Sequence, residues 1–227
     1  MKQKETLLNM KENKEIIEAS NHIFNGSIEN PVRDDAFELD DELKIELIEK
    51  HFKEIMQILG LDLSDDSLKG TPHRVAKMYV KEVFKGLNPA NKPLAKLFEN
   101  KYQYKQMLVE KNISFYSNCE HHFVPIIGRA HLGYISNGKV VGLSKLNRIV
   151  RYFAARPQVQ ERMTVQIANE LKEILQTEDI AVLIEADHLC VASRGIQDIT
   201  SKTVTSEYSG KFLDTKIREE FFRYIGI

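Results

Sequence analysis

The chain is poor in cysteine, in net charge and in long apolar runs, and each shortage removes a class of protein. Only two thiols occur in 227 residues, at Cys119 and Cys190. One pair makes no disulfide framework, and in a reducing compartment it would not pair, so the thiols are either small core residues or metal ligands. Lys and Arg number 32 against 33 Asp and Glu, a formal net charge of -1. That balance lacks the basic footprint of a general nucleic-acid binder, but it leaves room for a local basic pocket around one anionic ligand. No apolar run approaches the ~20 residues of a membrane span, so no membrane partner is expected. The opening MKQKETLLNMKENKEIIEAS has neither the apolar core nor the cleavage site of a secretory signal, which predicts a cytoplasmic location. Repeats and low-complexity tracts are absent too.

What is present divides into three. Residues 1–40 are polar and mixed in charge, ending in the turn-rich NGSIENPVRDD, and are expected to be a flexible segment. Residues 41–105 read as a helical region. Leu43, Leu47, Ile48, Phe52, Ile55, Met56 and Leu59 recur at helical spacing before Gly60. Thr71 and Pro72 open a second helix that runs toward Gly86, and a short helix is predicted over Lys92 to Glu99. Residues 106–227 are expected to form one α+β domain. MLVEKNISFYS and FVPIIGRAHLGYIS have strand composition, and SNG at 136–138 marks a hairpin turn into KVVGL. Two amphipathic helices follow, then the apolar strand IAVLIEADHLCVAS, the strand KTVTSEYSG and a closing helix. The order predicts an α+β fold, with an antiparallel sheet covered by helices on one face.

The chemistry gathers at SNCEHHF. Cys119 and His122 form a C-x-x-H pair that can meet on one ion if the chain bends after Cys119, since an unbent strand would point them to opposite faces. Cys190 lies near the end of the apolar strand, and each cysteine has a histidine within three positions. Two thiolates and an imidazole suit zinc; three protein ligands with an open fourth position make a catalytic site, and a fourth protein ligand makes a structural one. His121, His188 and Glu120 are candidates for proton transfer, with hydrogen bonds that orient the ligands as the plainer alternative. A basic set comprises Arg74 and Lys77 on one helical face, Ser144, Lys145 and Arg148 at the start of another helix, and Arg194 with Lys202. Near a metal it suggests a polyphosphate ligand, because helix N-terminal amides also favour anions. Gln160 and Glu161 open the helix after that, and a carboxylate there can accept two N–H groups from a guanine-like edge. A zinc base deaminase would need H-x-E and P-C-x-x-C, and neither occurs.

These segments together resemble the GTP cyclohydrolase I family. The resemblance rests on TPHRVAKMY, SFYSNCEHHFVPIIGRAHLGYI, GKVVGLSKLNRIV, VQERMTVQIA, ADHLCV with SRGI, and SKTVTSEYSG, in uninterrupted order from about residue 41 to the C-terminus. It implies a tunnelling fold assembled as a homodecameric ring, with active sites between subunits. It implies conversion of GTP and water to formate and 7,8-dihydroneopterin triphosphate, the first step of folate or pteridine synthesis. By motif match it assigns Zn²⁺ to Cys119, His122 and Cys190, catalysis to His121 and His188, and guanine binding to Glu161 beside Gln160. Triphosphate binding falls to Arg74, Lys77, Ser144, Lys145, Arg148 and Arg194. Ala155 and Pro157 depart from the family habit at the helix junction but touch no residue matched to zinc. The rival reading is a zinc-stapled structural or binding module, its site closed by His121 or His188.

Overall fold

The computed structural model describes residues 28–227; residues 1–27 of the segment expected to be flexible lie outside the described residues. Helix α1 spans Asp41–Ile58, opened by Asp40, whose carboxylate accepts the Leu43 N–H at 2.8 Å. Helix α2 spans Thr71–Met78 with Pro72 in its first turn, and it packs on α1. The helix does not run on to Gly86. It widens into a π turn over Tyr79–Val83 and then tightens into a 3₁₀ turn over Lys85–Leu87. Gly86 is required where it stands: its N–H donates to Ala155 C=O at 2.8 Å, and a Cβ there would strike the carbonyls of Tyr152 and Ala155. Of the apolar positions of α1, Met56 is buried together with Ile45, which lies on the same helix face; Leu43, Leu47 and Ile55 stay exposed.

The sequence predicts a helix over Lys92 to Glu99. The chain instead makes a 3₁₀ turn at Pro89–Asn91 and a strand, β1, at Leu97–Glu99. Pro93 supplies no N–H, and Leu97 to Glu99 find partners in β4 (Lys139–Val141). The turn at 136–138 therefore exists, with Gly138 left-handed at φ 90°, but its outgoing strand pairs with β1 and not with the strand before it.

The main sheet has the order β5-β2-β3-β6-β7, formed by Pro157–Gln158, Met107–Cys119, Pro125–Ile135, Ile180–His188 and Thr203–Tyr208. Every pairing is antiparallel except β2 with β5. Helices α3 (Leu143–Ala154) and α4 (Gln160–Leu175) lie across one face. Their Leu146, Ile149, Val150, Met163, Ile167 and Leu171 pack on Ile113, Phe115, Ile126, Leu132, Val182 and Ile184 in the main core. A bulge in β2 between Glu110 and Ile113 changes the facing of that strand. Met107 and Val109 before it join Ala181 and Leu183 under the closing helix α6 (Thr215–Ile225), around Phe212, Phe221 and Ile225. The architecture is α+β as expected, with one correction: helices cover one face fully, and α6 covers part of the other. Beyond α6 that second face is open, with Tyr116 at 73% exposure. Cys119 and the residues after it lie on the helix side, next to the start of α4.

Candidate metal centre

β2 ends at Cys119, and the chain turns at once. Phe123 takes a left-handed φ of 53°, its N–H donates to Cys119 C=O at 2.8 Å, and Cys119 N–H donates to Val124 C=O at 2.9 Å. This is the bend that the C-x-x-H pair needs. It leaves Cys119 buried and His122 exposed on the same side. The third donor arrives by a break the sequence hid. The mainly apolar run 180–192, interrupted by Glu185, Asp187 and His188, reads as one strand, but β6 stops at His188, and a single helical turn, α5 (Leu189–Ala192), carries Cys190 back toward β2.

The Cys119 Sγ, the Cys190 Sγ and an imidazole nitrogen of His122 lie within 4.8 Å of one another. Both thiols are free. Burial pushes the Cys190 thiol up, and the neighbouring Cys119 adds to it, so Cys190 resists becoming a thiolate without a cation. Two soft sulfurs and one imidazole at that spread suit an ion with ligand bonds of about 2.0–2.3 Å, as zinc has. The donor set therefore fits the metal expected from the motifs. His121 stands beside the group, its Nδ1 3.7 Å from the Cys119 sulfur, and Arg194 donates to His122 Nε2 at 3.0 Å.

His188 faces elsewhere. The Gln160 amide nitrogen donates to Ile184 C=O (3.1 Å), Thr203 C=O (3.0 Å) and Thr205 Oγ1 (3.1 Å). Two carbonyls at one end fix which end is nitrogen, so the Gln160 oxygen faces His188 Nε2 at 2.8 Å. His188 must then carry its proton on Nε2, leaving Nδ1 bare. Burial lowers its pKa, opposed by the charges of Glu161 and Asp187; the imidazole is neutral at neutral pH. Gln160 is itself buried, and its amide is fully engaged within the protein. Glu161, the next residue, is exposed at the start of α4.

Glu120 is not a free acid. Arg162 grips both its oxygens with two guanidinium nitrogens, and the side chains are 8% and 19% exposed. The pair ties the Cys119–His122 turn to the first turn of α4. Arg162 and Gln160's role toward His188 escaped the sequence reading, because the partners are far apart in the chain and only the sheet joins them. Breaking a largely buried pair strands a charge. Arg162→Met is expected to cost on the order of 3 kcal/mol, read as a lowered chemical-denaturation midpoint, and adding Glu120→Gln should restore much of it. A double variant no more stable than the single one would show that the pair carries no such coupling.

Of the basic set, among the described residues, only Arg194 hydrogen-bonds a member of the metal cluster. Arg74 and Lys77 sit exposed on α2, with Arg74 bonded to Ser67 C=O and Thr71 Oγ1. Ser144, Lys145 and Arg148 lie along the first turns of α3. Among the described residues, no hydrogen bond or ion pair joins these five to the cluster. Lys202 pairs with Glu185 at 3.0 Å, away from the cluster.

The family model described as GTP cyclohydrolase I matches residues 48–226. A protein of Flavobacterium johnsoniae named GTP cyclohydrolase 1 is 62% identical over 202 residues, covering 89% of this chain and 91% of its own length. Proteins of the same name from Citrobacter koseri and Salmonella arizonae are 50% and 51% identical over 199 residues, 87% of this chain and 90% of theirs. Among the described residues, no helix is long and apolar enough to cross a membrane.

Proposed function

The chain belongs to the GTP cyclohydrolase I family and is an enzyme, and from that footing we propose that it converts GTP and water to formate and 7,8-dihydroneopterin triphosphate, the entry step of folate and pteridine synthesis. The observation that carries this reading is the Cys119–His122–Cys190 cluster set beside an oriented, neutral His188. A zinc ion held by those three side chains would supply Lewis acidity and water whose pKa is brought from 15.7 toward ~7. His188, with its proton fixed on Nε2, offers a bare Nδ1 that takes up and returns a proton as the guanine imidazole ring opens. His121, exposed beside Cys119, is the second acid–base group. Glu161 accepts the N–H groups of the guanine edge, and Gln160 serves it indirectly by holding His188 next door. Arg194, already at the cluster's rim, takes the triphosphate together with Arg74, Lys77, Ser144, Lys145 and Arg148.

Those last five do not meet the cluster within one subunit, which is what a site completed by a neighbouring copy would look like. The exposed stripe of Leu43, Leu47 and Ile55 on α1, and the open sheet face around Tyr116, favour the same assembly, a homodecameric ring of the tunnelling fold working in the cytoplasm. A closed structural zinc module is less favoured, because His188 is committed to Gln160.

Incubation with GTP tests the reading: formate and a pterin fluorescent after oxidation should accumulate, and their absence from metal-loaded protein would overturn it. Within that assay Arg194→Ala should weaken GTP binding roughly tenfold, the scale of one charge-assisted hydrogen bond at an exposed site, and leave guanosine binding almost unchanged. Equal losses for both ligands would remove Arg194 from the triphosphate site.

A further inference from the structure

Asn30 lies before residues 48–226, which the family model matches, and its amide is bonded to the segment that joins α3 to α4. Its nitrogen donates to Pro157 C=O at 2.7 Å and reaches the Gln158 side-chain oxygen at 3.5 Å. Its oxygen accepts from Arg156 at 3.1 Å and from Gln166 at 3.1 Å. The second end of Gln166's donation is the Ile28 C=O at 2.8 Å, so residues 28–30 lie as a strap across the junction between α3 and α4. Every partner is held in turn. Arg156 is buried, stacked on Tyr152 and Phe153 with ring centroids 4.6 and 4.7 Å away, and donates to Gly86 C=O at 2.8 Å. Gln158, fully buried, donates to Phe153 C=O and to Gln166.

The junction so clamped is β5. Pro157 pairs with Asn118, and Gln158 pairs with Cys119, in parallel register; Gln158 C=O also accepts the Glu120 N–H at 3.0 Å. Two residues beyond Gln158, the chain becomes Gln160 and Glu161. β5 is only two residues long, and proline at 157 gives it no N–H to donate there. A strand this short cannot fix its own register with two pairs, and the strap supplies what it lacks.

We propose that Asn30 is a positioning residue of this active site: by bridging Arg156, Pro157, Gln158 and Gln166 it fixes β5, and through β5 it sets both the Cys119–Glu120 turn that offers the metal ligands and the Gln160–Glu161 entry to α4. The proposal rests on reading that site as the metal- and GTP-binding centre. Groups that orient ligands typically carry 10- to 100-fold in metal affinity or activity.

The test uses two full-chain variants. Asn30→Asp keeps an oxygen for Arg156 and Gln166, and so a partner for the buried guanidinium, but it cannot donate to Pro157 C=O. Asn30→Ala loses both. For Asn30→Asp, whose second oxygen is turned toward Pro157 C=O, the expected result is a folded chain with zinc affinity by chelator competition weakened about tenfold and KM for GTP raised several-fold. Asn30→Ala should show the same losses with a lower midpoint; if it does not fold, Asn30→Asp alone decides. Parent-like zinc affinity and KM in folded Asn30→Asp would overturn the proposal and reduce Asn30 to a stabilising contact. The zinc measurement does not need turnover. A parent protein that binds zinc but does not consume GTP would sink the functional reading while leaving the metal half of this one to be judged by the same competition.

Discussion

Cys190→Ser is expected to abolish turnover of GTP while leaving the chain folded. The parent should hold about one zinc per subunit, and the variant close to none. Serine keeps the size of cysteine but replaces a soft sulfur with a hydroxyl that does not ionise near neutral pH, so the site falls from three ligands to two. The fold does not depend on Cys190: the residue is partly exposed, on a four-residue helical turn at the edge of the main core. The side chains that fill that core are contributed by α3, α4 and the sheet. Losing Lewis-acid stabilisation of several kcal/mol corresponds to a rate decrease on the order of 10³-fold or more. The measurement is zinc content, rate and unfolding midpoint on one preparation. Parent-like turnover in a zinc-free variant would end the metal reading; loss of folding together with zinc would mean that the metal is structural, as the stapled-module alternative requires.

The Cys119–His122–Cys190 cluster was legible because its spacing is local or its chemistry is rare. A chain with two cysteines advertises both, and C-x-x-H across a turn is a distance that residue numbers carry. The helices α3 and α4 were legible for the same reason, since Leu146, Ile149 and Val150, or Met163, Ile167 and Leu171, recur at the helix period. The failures share the opposite cause. Lys92 to Glu99 has no strong period of its own and becomes a strand only because β4 is there to pair with it. The break falls between IAVLIEADH and LCVA, where apolar residues resume at once and hydrophobicity alone says nothing of direction. Gln160, Arg162 and Asn30 are ordinary polar residues. Their significance lies in partners 28, 42 and 126 or more positions away, which only the folded sheet and the strap bring near. The apolar residues of α1 made its helix legible, but periodicity cannot say which of them the same chain covers.

The division of labour between the two histidines gives the second large effect. His188→Gln should retain zinc and lose kcat by on the order of 10²- to 10⁴-fold, the range for a positioned acid–base group. Glutamine can still bond Gln160 but cannot carry a proton in and out. The pH profile adds a signature that a packing defect would not produce. Burial holds the His188 pKa below the ordinary histidine value of 6.5 against the opposing charges of Glu161 and Asp187. The neutral, working form therefore persists into mildly acidic solution and is lost only as pH falls through that lowered value. The acid limb of kcat/KM for the parent should accordingly lie below 6.5, and in His188→Gln it should disappear. His121→Gln should also keep its metal and lose rate. Gln160→Met offers the sharper check on orientation. Methionine keeps the length of the side chain but gives His188 Nε2–H no oxygen to donate to, so the group that fixes the tautomer is lost. A rate loss in Gln160→Met approaching that of His188→Gln, at constant zinc content, would establish that the tautomer matters. If instead both histidine variants shed zinc in proportion to activity, His121 and His188 are ligands, and the open fourth position that the chemistry needs does not exist.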